Sequence, residues 1–354
     1  MSALLIVGHG TRDEPGAAEF RAFVGRVSER AAAAGAADAV AGGFIELSPP
    51  PLKDAVSALV AEGHRELTAV PLILLAAGHA KGDIPAALAR ERERHSGLRT
   101  RYARPLGPHP VILELLRRRL QETLRAPGAA AAADAAADAV LLVGRGTTDP
   151  DANADLYRAA RLLWETSREL GVRQVEPAFV SLAQPSVTEG LDRLRALGAR
   201  RVVVLPFFLF PGVLPTRIHT QAAGWLEQHG DAVSAVVADV IGDCDELADL
   251  VLERYAEADG RGLAPAGMNC DACVYRIAMP GFAERVGREQ RPHEHPDDPA
   301  HAPGHPHPHD HQHEHPHDHP HDHQHEHPRG HDRDRSVPES RVSIPATAPR
   351  APMG

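Results

Sequence analysis

Three residues of this chain stand where their chemistry could converge. His9 follows the apolar run at 4–7 and lies between Gly8 and Gly10; Glu46 closes the run at 40–46; His79 follows the run at 67–75 after Ala76, Ala77 and Gly78. Each run reads as a strand of a parallel sheet, and in such sheets ligands bind beyond the carboxyl ends of the strands. Two neutral imidazoles and one carboxylate suit a borderline divalent metal such as Co, Ni, Fe or Zn, and three protein donors leave coordination positions open. His9, Glu46 and His79 are therefore the candidate catalytic residues. His9 and His79 are the metal ligands, and Glu46 can steer a cation or accept a proton. A single histidine after a strand is ordinarily a satisfied loop residue; three chemical groups at one sheet edge argue for more. Phosphoryl transfer fits poorly. The stretch GHGTRD at 8–13 has too few glycines for a P-loop, and Gly8 stands where a histidine phosphatase has arginine before its histidine.

Two further features carry chemistry. MNCDACVYR at 268–276 places Cys270 and Cys273 in an MxCxxC pattern, which suits a redox dithiol or simple metal capture. Sixteen of the 23 histidines fall between 293 and 331, alternating with Pro, Asp, Glu and Gln. The two-residue spacing of His305, His307 and His309 suits multidentate capture of Co2+, Ni2+ or Zn2+. A plain spacer is the alternative.

The elements that must position these groups are written twice. ALLIVGHGTRD at 3–13 matches AVLLVGRGTTD at 139–149; GFIELSPPPLKDAV from Gly43 matches AFVSLAQPSVTEGL from Ala178; ELTAVPLILL from Glu66 matches RVVVLPFFLF from Arg201. An offset near 135 residues, constant over three blocks, indicates duplication. At the chemical positions the copies differ: Arg145 stands for His9, Ser181 for Glu46 and Leu214 for His79. A purely structural role would be needed in both copies, so the pattern implies one active site in unit one and a supporting unit two.

Strands are expected at 4–7, 40–46, 67–75 and 100–103, and again at 140–143, 174–180, 201–209 and 234–240. Helices are expected between them, in unit one at 15–34, 51–62, 84–95 and 110–125. Uniformly apolar strands joined by helices imply an α/β fold with two tandem parallel sheets flanked by helices. The expected divisions are an N-terminal unit at 1–126, a second unit with a degenerate site at 139–258, a linker carrying the MxCxxC motif at 259–292, and a disordered histidine-rich tail at 293–354.

Composition narrows the function classes. Of 354 residues only 4% are aromatic and the formal net charge is -10, which disfavours nucleic acid as a partner. No run approaches ~18 uninterrupted apolar residues, so no membrane span is expected. The apolar N-terminal run reads as a buried strand, not a signal peptide. Three cysteines are too few for a disulfide framework and point to a reducing, cytoplasmic setting. Cys244 reads as a buried small hydrophobe. The sequence is compatible with a homo-oligomer, although two fused units already form a pseudo-dimer.

VGHGTRD at 7–13, GGFIELSPP at 42–50 and PLILLAAGHAKGDIP at 71–85 resemble the sirohydrochlorin cobaltochelatases, class II tetrapyrrole chelatases, over about residues 1–258. Long members of that family share the duplicated body, the MxCxxC motif and the histidine-rich segment. The resemblance implies a chelatase-like fold and a lyase that inserts Co2+ into sirohydrochlorin on the anaerobic route to cobalamin. It matches the family's metal-binding histidines to His9 and His79, and its active-site acid to Glu46. For Cys270 and Cys273 it implies an iron–sulfur cluster, although such clusters usually take four thiolates. The substrate so implied carries eight carboxylates, and Arg12 and Lys81, beside the two histidines, are plausible partners for them. Asp13 and Asp83 are expected to cap helices or orient neighbours. Related chelatases insert iron, for sirohaem, or nickel. A cobalt or nickel store or metallochaperone on the same scaffold is the non-enzyme alternative.

Overall fold

The computed structural model describes residues 2–126, 138–230 and 232–260. In the first half, β1 (Ala3–Gly8), β2 (Val40–Phe44), β3 (Glu66–Pro71) and β4 (Arg99–Tyr102) form a parallel sheet of order β2-β1-β3-β4. The helices are α1 (Glu14–Ala34), α2 (Leu52–Ala61), α3 (Ile84–Arg94) and α4 (Pro110–Arg125). The second half repeats this with β5 (Ala139–Gly144), β6 (Gln174–Phe179), β7 (Arg201–Pro206) and β8 (Ser234–Val237), in the order β6-β5-β7-β8. Its helices are α5 (Pro150–Thr166), α6 (Val187–Ala196), α7 (Val213–His229) and α8 (Asp245–Ala258).

Local chemistry sets the ends of the elements. Asp13 caps α1 by accepting the Gly16 amide at 3.0 Å, and Pro15 suits the first turn. Gly35 ends α1 in the left-handed conformation at φ 56°. Asp149 caps α5 in the same way, with Pro150 following. Every residue of β1 is buried because both faces are covered. Leu4 and Ile6 face one core; Ala3, Leu5 and Val7 face another. In β5, Val140 and Leu142 join the same core as Leu4 and Ile6, while Ala139, Leu141 and Val143 face an outer layer of their own.

That shared core joins the halves. Phe20, Phe23 and Val27 of α1, Leu116 and Leu120 of α4, Leu156 and Leu163 of α5, and Val251 and Tyr255 of α8 belong to it. Helix α1 packs on α8, and α4 packs on α5 and α8. Charged pairs border the seam: Arg26 with Asp243 and Asp245, Arg30 with Asp249, and Arg104 with Glu257. The exposed pairs among them contribute little each, and the apolar layer is the continuous contact between the halves.

Four strands end two or more residues earlier than the apolar runs suggest, β8 among them at Val237. β2 stops at Phe44, β3 at Pro71 and β7 at Pro206. Leu72, Ile73, Leu74 and Leu75, like Phe207, Phe208 and Phe210, continue as loop and line a cleft. They are apolar because they are covered there, not because they extend a strand. Among the described residues no helix is long and apolar enough to cross a membrane.

Because one core serves both halves, residues 2–260 are expected to unfold as one cooperative unit. Phe23→Ala, at a fully buried position, should cost about 3–5 kcal/mol and lower a single thermal transition. Two separate calorimetric transitions would show that the halves fold independently.

Candidate metal centre and cleft

The order β2-β1-β3-β4 reverses direction between β1 and β3, and ligands bind at such a switch point. His9 leaves the end of β1, His79 follows β3 on its loop, and Glu46 lies two residues past β2. Backbone bonds stitch these loops together. The Ile45 amide donates to the Gly8 carbonyl at 2.9 Å, Glu46 to His9 at 3.1 Å, and Leu72 to Val7 at 2.8 Å. Gly10 is required for the approach: at φ +99° a Cβ would lie 1.7 Å from the Glu46 carbonyl oxygen.

The three side chains meet. Each offers a ligand atom, and these atoms lie within 4.8 Å of one another. The two imidazoles stand edge to face, with centroids 4.3 Å apart and planes at 89°. His9 Nδ1 lies 3.1 Å from the Gly10 carbonyl, which assigns the proton to Nδ1 and the lone pair to Nε2. Among the described residues that Nε2 is buried without a hydrogen-bond partner, and the nearest Glu46 carboxylate oxygen is 3.3 Å away. A nitrogen lone pair facing a carboxylate in this way suits a bound cation. His79 begins a turn of π-helix, His79–Asp83, that leads into α3, and such turns recur at functional sites. The turn brings Asp83 Oδ2 to 2.7 Å from His79 Nδ1. A carboxylate in that position fixes the ring and leaves Nε2 to act as ligand. Asp83 thus orients its neighbour, and Asp13 caps its helix.

Burial pushes the His9 imidazole down to about 4, helped by the positive influence of His79 and Arg145 and opposed by Glu46 and the Gly10 carbonyl. His9 is therefore neutral near pH 7 and can accept a metal without first losing a proton.

The candidate site opens into a cleft of about 660 Å³ between the halves, within the range of small-molecule sites. Arg12 and Arg145 line it, both exposed, and neither forms an ion pair or hydrogen bond through its guanidinium among the described residues. Lys81 differs from expectation. Its ammonium lies 2.7 Å from Asp149 Oδ2 and 2.9 Å from Asp151 Oδ2, and its side chain is only 6% exposed. Burial disfavours that charge, but the hydrogen bonds to Asp149 and Asp151 outweigh it and raise the pKa. Lys81 ties the turn of His79 to the second half and is not placed to meet substrate carboxylates.

Sequence reasoning did not anticipate that Arg145 would face the first half's histidine. The substitution of His9 by Arg145 in the repeat was the available signal. Cys244 is half-buried at the start of α8, packs against the shared core, and burial pushes its thiol up. Cys270, Cys273 and the histidines of 293–331 lie outside the described residues.

A sequence model of the CbiX family matches residues 3–123 and again 139–258. The chain is 36% identical over 280 residues to a sirohydrochlorin cobaltochelatase of Priestia megaterium, covering 79% of this chain and 86% of that one. It is 32% identical over 280 residues to a sirohydrochlorin ferrochelatase of the same organism, covering 78% and 96%. Among solved structures it is similar to the sirohydrochlorin chelatase SirB from Bacillus subtilis subspecies spizizenii in complex with cobalt, with a TM-score of 0.58 at 27% identity over 73% of this chain and 97% of that one.

Two outcomes follow from this geometry. Lys81→Met leaves Asp149 and Asp151 buried without their counter-ion and should destabilise the fold by about 3–5 kcal/mol, read by denaturant unfolding; Arg12→Met should leave stability within about 0.5 kcal/mol. His9 should titrate near pH 4 by NMR rather than near 6.5. Its folded pKa lies below the unfolded value, so the unfolded chain takes up the proton first. The stability tied to neutral His9 is full above pH 6.5 and declines as the pH falls toward 4. A His9 titration midpoint near 6.5 would contradict this picture of its environment.

Proposed function

The chain belongs to the CbiX family, and on that premise we propose that it is a sirohydrochlorin cobaltochelatase, inserting Co2+ into sirohydrochlorin during cobalamin biosynthesis. The observation that carries this reading is the buried Nε2 of His9, without a hydrogen bond among the described residues and facing the Glu46 carboxylate at 3.3 Å, with the His79 imidazole at right angles beside them.

Insertion exchanges one divalent cation for two pyrrole protons, so the site must hold the ion, release it and let protons leave. His9 and His79 hold Co2+ as neutral donors, with the Asp83 carboxylate fixing the His79 ring. Glu46 offsets part of the ion's charge and accepts a proton as the metal passes to the macrocycle. Three protein donors leave positions at which pyrrole nitrogens replace water. The charge of Arg145, felt at His9, disfavours a cation there and so assists release. Arg12 and Arg145 are the candidate partners for substrate carboxylates.

The identity to a cobaltochelatase over most of both chains supports cobalt. Iron is the second reading, because a relative named as a ferrochelatase is matched over a similar share of this chain. Imidazole and carboxylate donors do not separate the two metals by affinity order alone.

Purified protein with sirohydrochlorin should accelerate the absorption change of metal insertion, faster with Co2+ than with Fe2+ or Ni2+ at equal free metal. His79→Ala should lower kcat/KM at least 100-fold. A rate no higher than the spontaneous one rejects the enzyme reading. A faster rate with Fe2+ reassigns the metal.

A further inference from the structure

Leu47 and Leu182 are the only non-glycine residues with positive φ among the described residues, at 67° and 61°. They occupy equivalent places in the two halves. Each is the centre of a three-residue turn closed by one bond: Ser48 donates to the Glu46 carbonyl at 2.8 Å, and Ala183 to the Ser181 carbonyl at 2.8 Å. A γ-turn with positive φ is rare and strained, the more so around a leucine. Both turns are locked from below. A Cβ at Gly10 or Gly146 would overlap the carbonyl oxygen of Glu46 or Ser181, at 1.7 Å and 1.9 Å.

Strain of this kind persists where surrounding structure enforces it, and it clusters at ligand clamps. Placing Glu46 for the metal does not account for it. Ser181 replaces Glu46 in the second half, Arg145 replaces His9, and the turn and its leucine are still there. Neither leucine is needed for packing, since Leu47 is 39% and Leu182 67% exposed. Both line the same cleft, one from each half. An apolar side chain that is strained, exposed and present in both copies is aimed at something both copies touch.

We infer that Leu47 and Leu182 are a pair of apolar jaws that grip the ring system of a flat tetrapyrrole from the two sides of the cleft. This deepens the chelatase reading and rests on it. The first half supplies the metal chemistry, and both halves supply the grip. The jaws contribute uniform binding, so their loss falls on KM and not on kcat.

The test uses the full chain, with Leu47→Gly, Leu182→Gly and the double variant. Glycine removes the side chain and accepts positive φ without strain, so the melting temperature should be unchanged or higher. A leucine serving only the fold would lower it. Titration with metal-free sirohydrochlorin, followed by absorbance, should show Kd raised about tenfold by each substitution, with KM rising in parallel. Co2+ affinity without tetrapyrrole should stay at the wild-type value. Should a glycine variant fail to fold, Leu182→Asn, which also tolerates positive φ, should give the same loss. Unchanged tetrapyrrole Kd in the folded variants, with wild-type protein binding normally, overturns the jaws alone. Wild-type protein that binds no sirohydrochlorin overturns the chelatase reading and the jaws with it.

Discussion

Four helices of this protein must each be apolar on two sides. Helices α1 and α5 pack on their own sheets and meet the other half, while α4 packs on β7 and α8 on β3, each crossing onto the other half's sheet. Their buried residues therefore run wider than one stripe, as in α4, where Ile112, Leu113, Leu115, Leu116 and Leu120 are all buried. Removing either half would expose that surface to water, at about 25 cal/mol per Å² of apolar area. The cleft inherits its shape from this constraint. With the helices fixed in one core, the loops after β1 and β5 face each other, and the Lys81 bridge closes one flank of the same seam. On the pseudo-equivalent flank Thr216 takes the place of Lys81, and Gly16 approaches the Pro211 carbonyl so closely that a Cβ would lie 2.4 Å from it. One flank is joined by charge and the other by backbone contact.

The duplication separates two kinds of requirement within one chain. Features common to both copies serve the scaffold or whatever the two halves share: the glycine after each first strand's chemical residue, the capping Asp13 and Asp149, the turns around Leu47 and Leu182. Features found in one copy make up the candidate metal site: His9, Glu46, His79 and, through His79, Asp83. Arg145 belongs to neither class. It replaces a ligand by a cation that faces the remaining ligand, so the second half is not merely silent at this position. Its charge changes the electrostatics of the first half's site.

Much of this was legible in the sequence because it is local. The alternation of buried strands and amphipathic helices reports fold class, and the three chemical residues sit at strand ends that periodicity locates. The misplaced ends of β3 and β7 have one cause: apolar residues that line a cleft and apolar residues that fill a strand look alike in sequence. Lys81 was misread for a different reason. Beside a histidine in a loop it resembles a substrate contact, and nothing nearby announces that its partners lie 68 and 70 residues further along the chain. The same holds for Arg145 and His9, which share one cleft and influence each other only through the packing of one half on the other. Long-range pairing depends on the relative placement of two units, and local pattern carries no record of it.

A site that transfers a metal must bind it weakly enough to yield it. The influences on the His9 proton bear on this balance, because a proton and a divalent cation both bring positive charge to the same nitrogen. Burial, His79 and Arg145 oppose such charge, while Glu46 and the Gly10 carbonyl favour it, and opposition prevails far enough to bring the pKa to about 4. A divalent ion held there feels the same opposition, stronger for its second charge, relieved by direct bonds to two imidazoles and one carboxylate. Under the proposed function, binding is reversible, and a macrocycle offering four nitrogens in one plane draws the ion away. A closed four-ligand cage would remove the open positions and deepen the hold. On this reading the open coordination at His9, Glu46 and His79, and the arginine set against them by the second half, are two parts of one device for letting go.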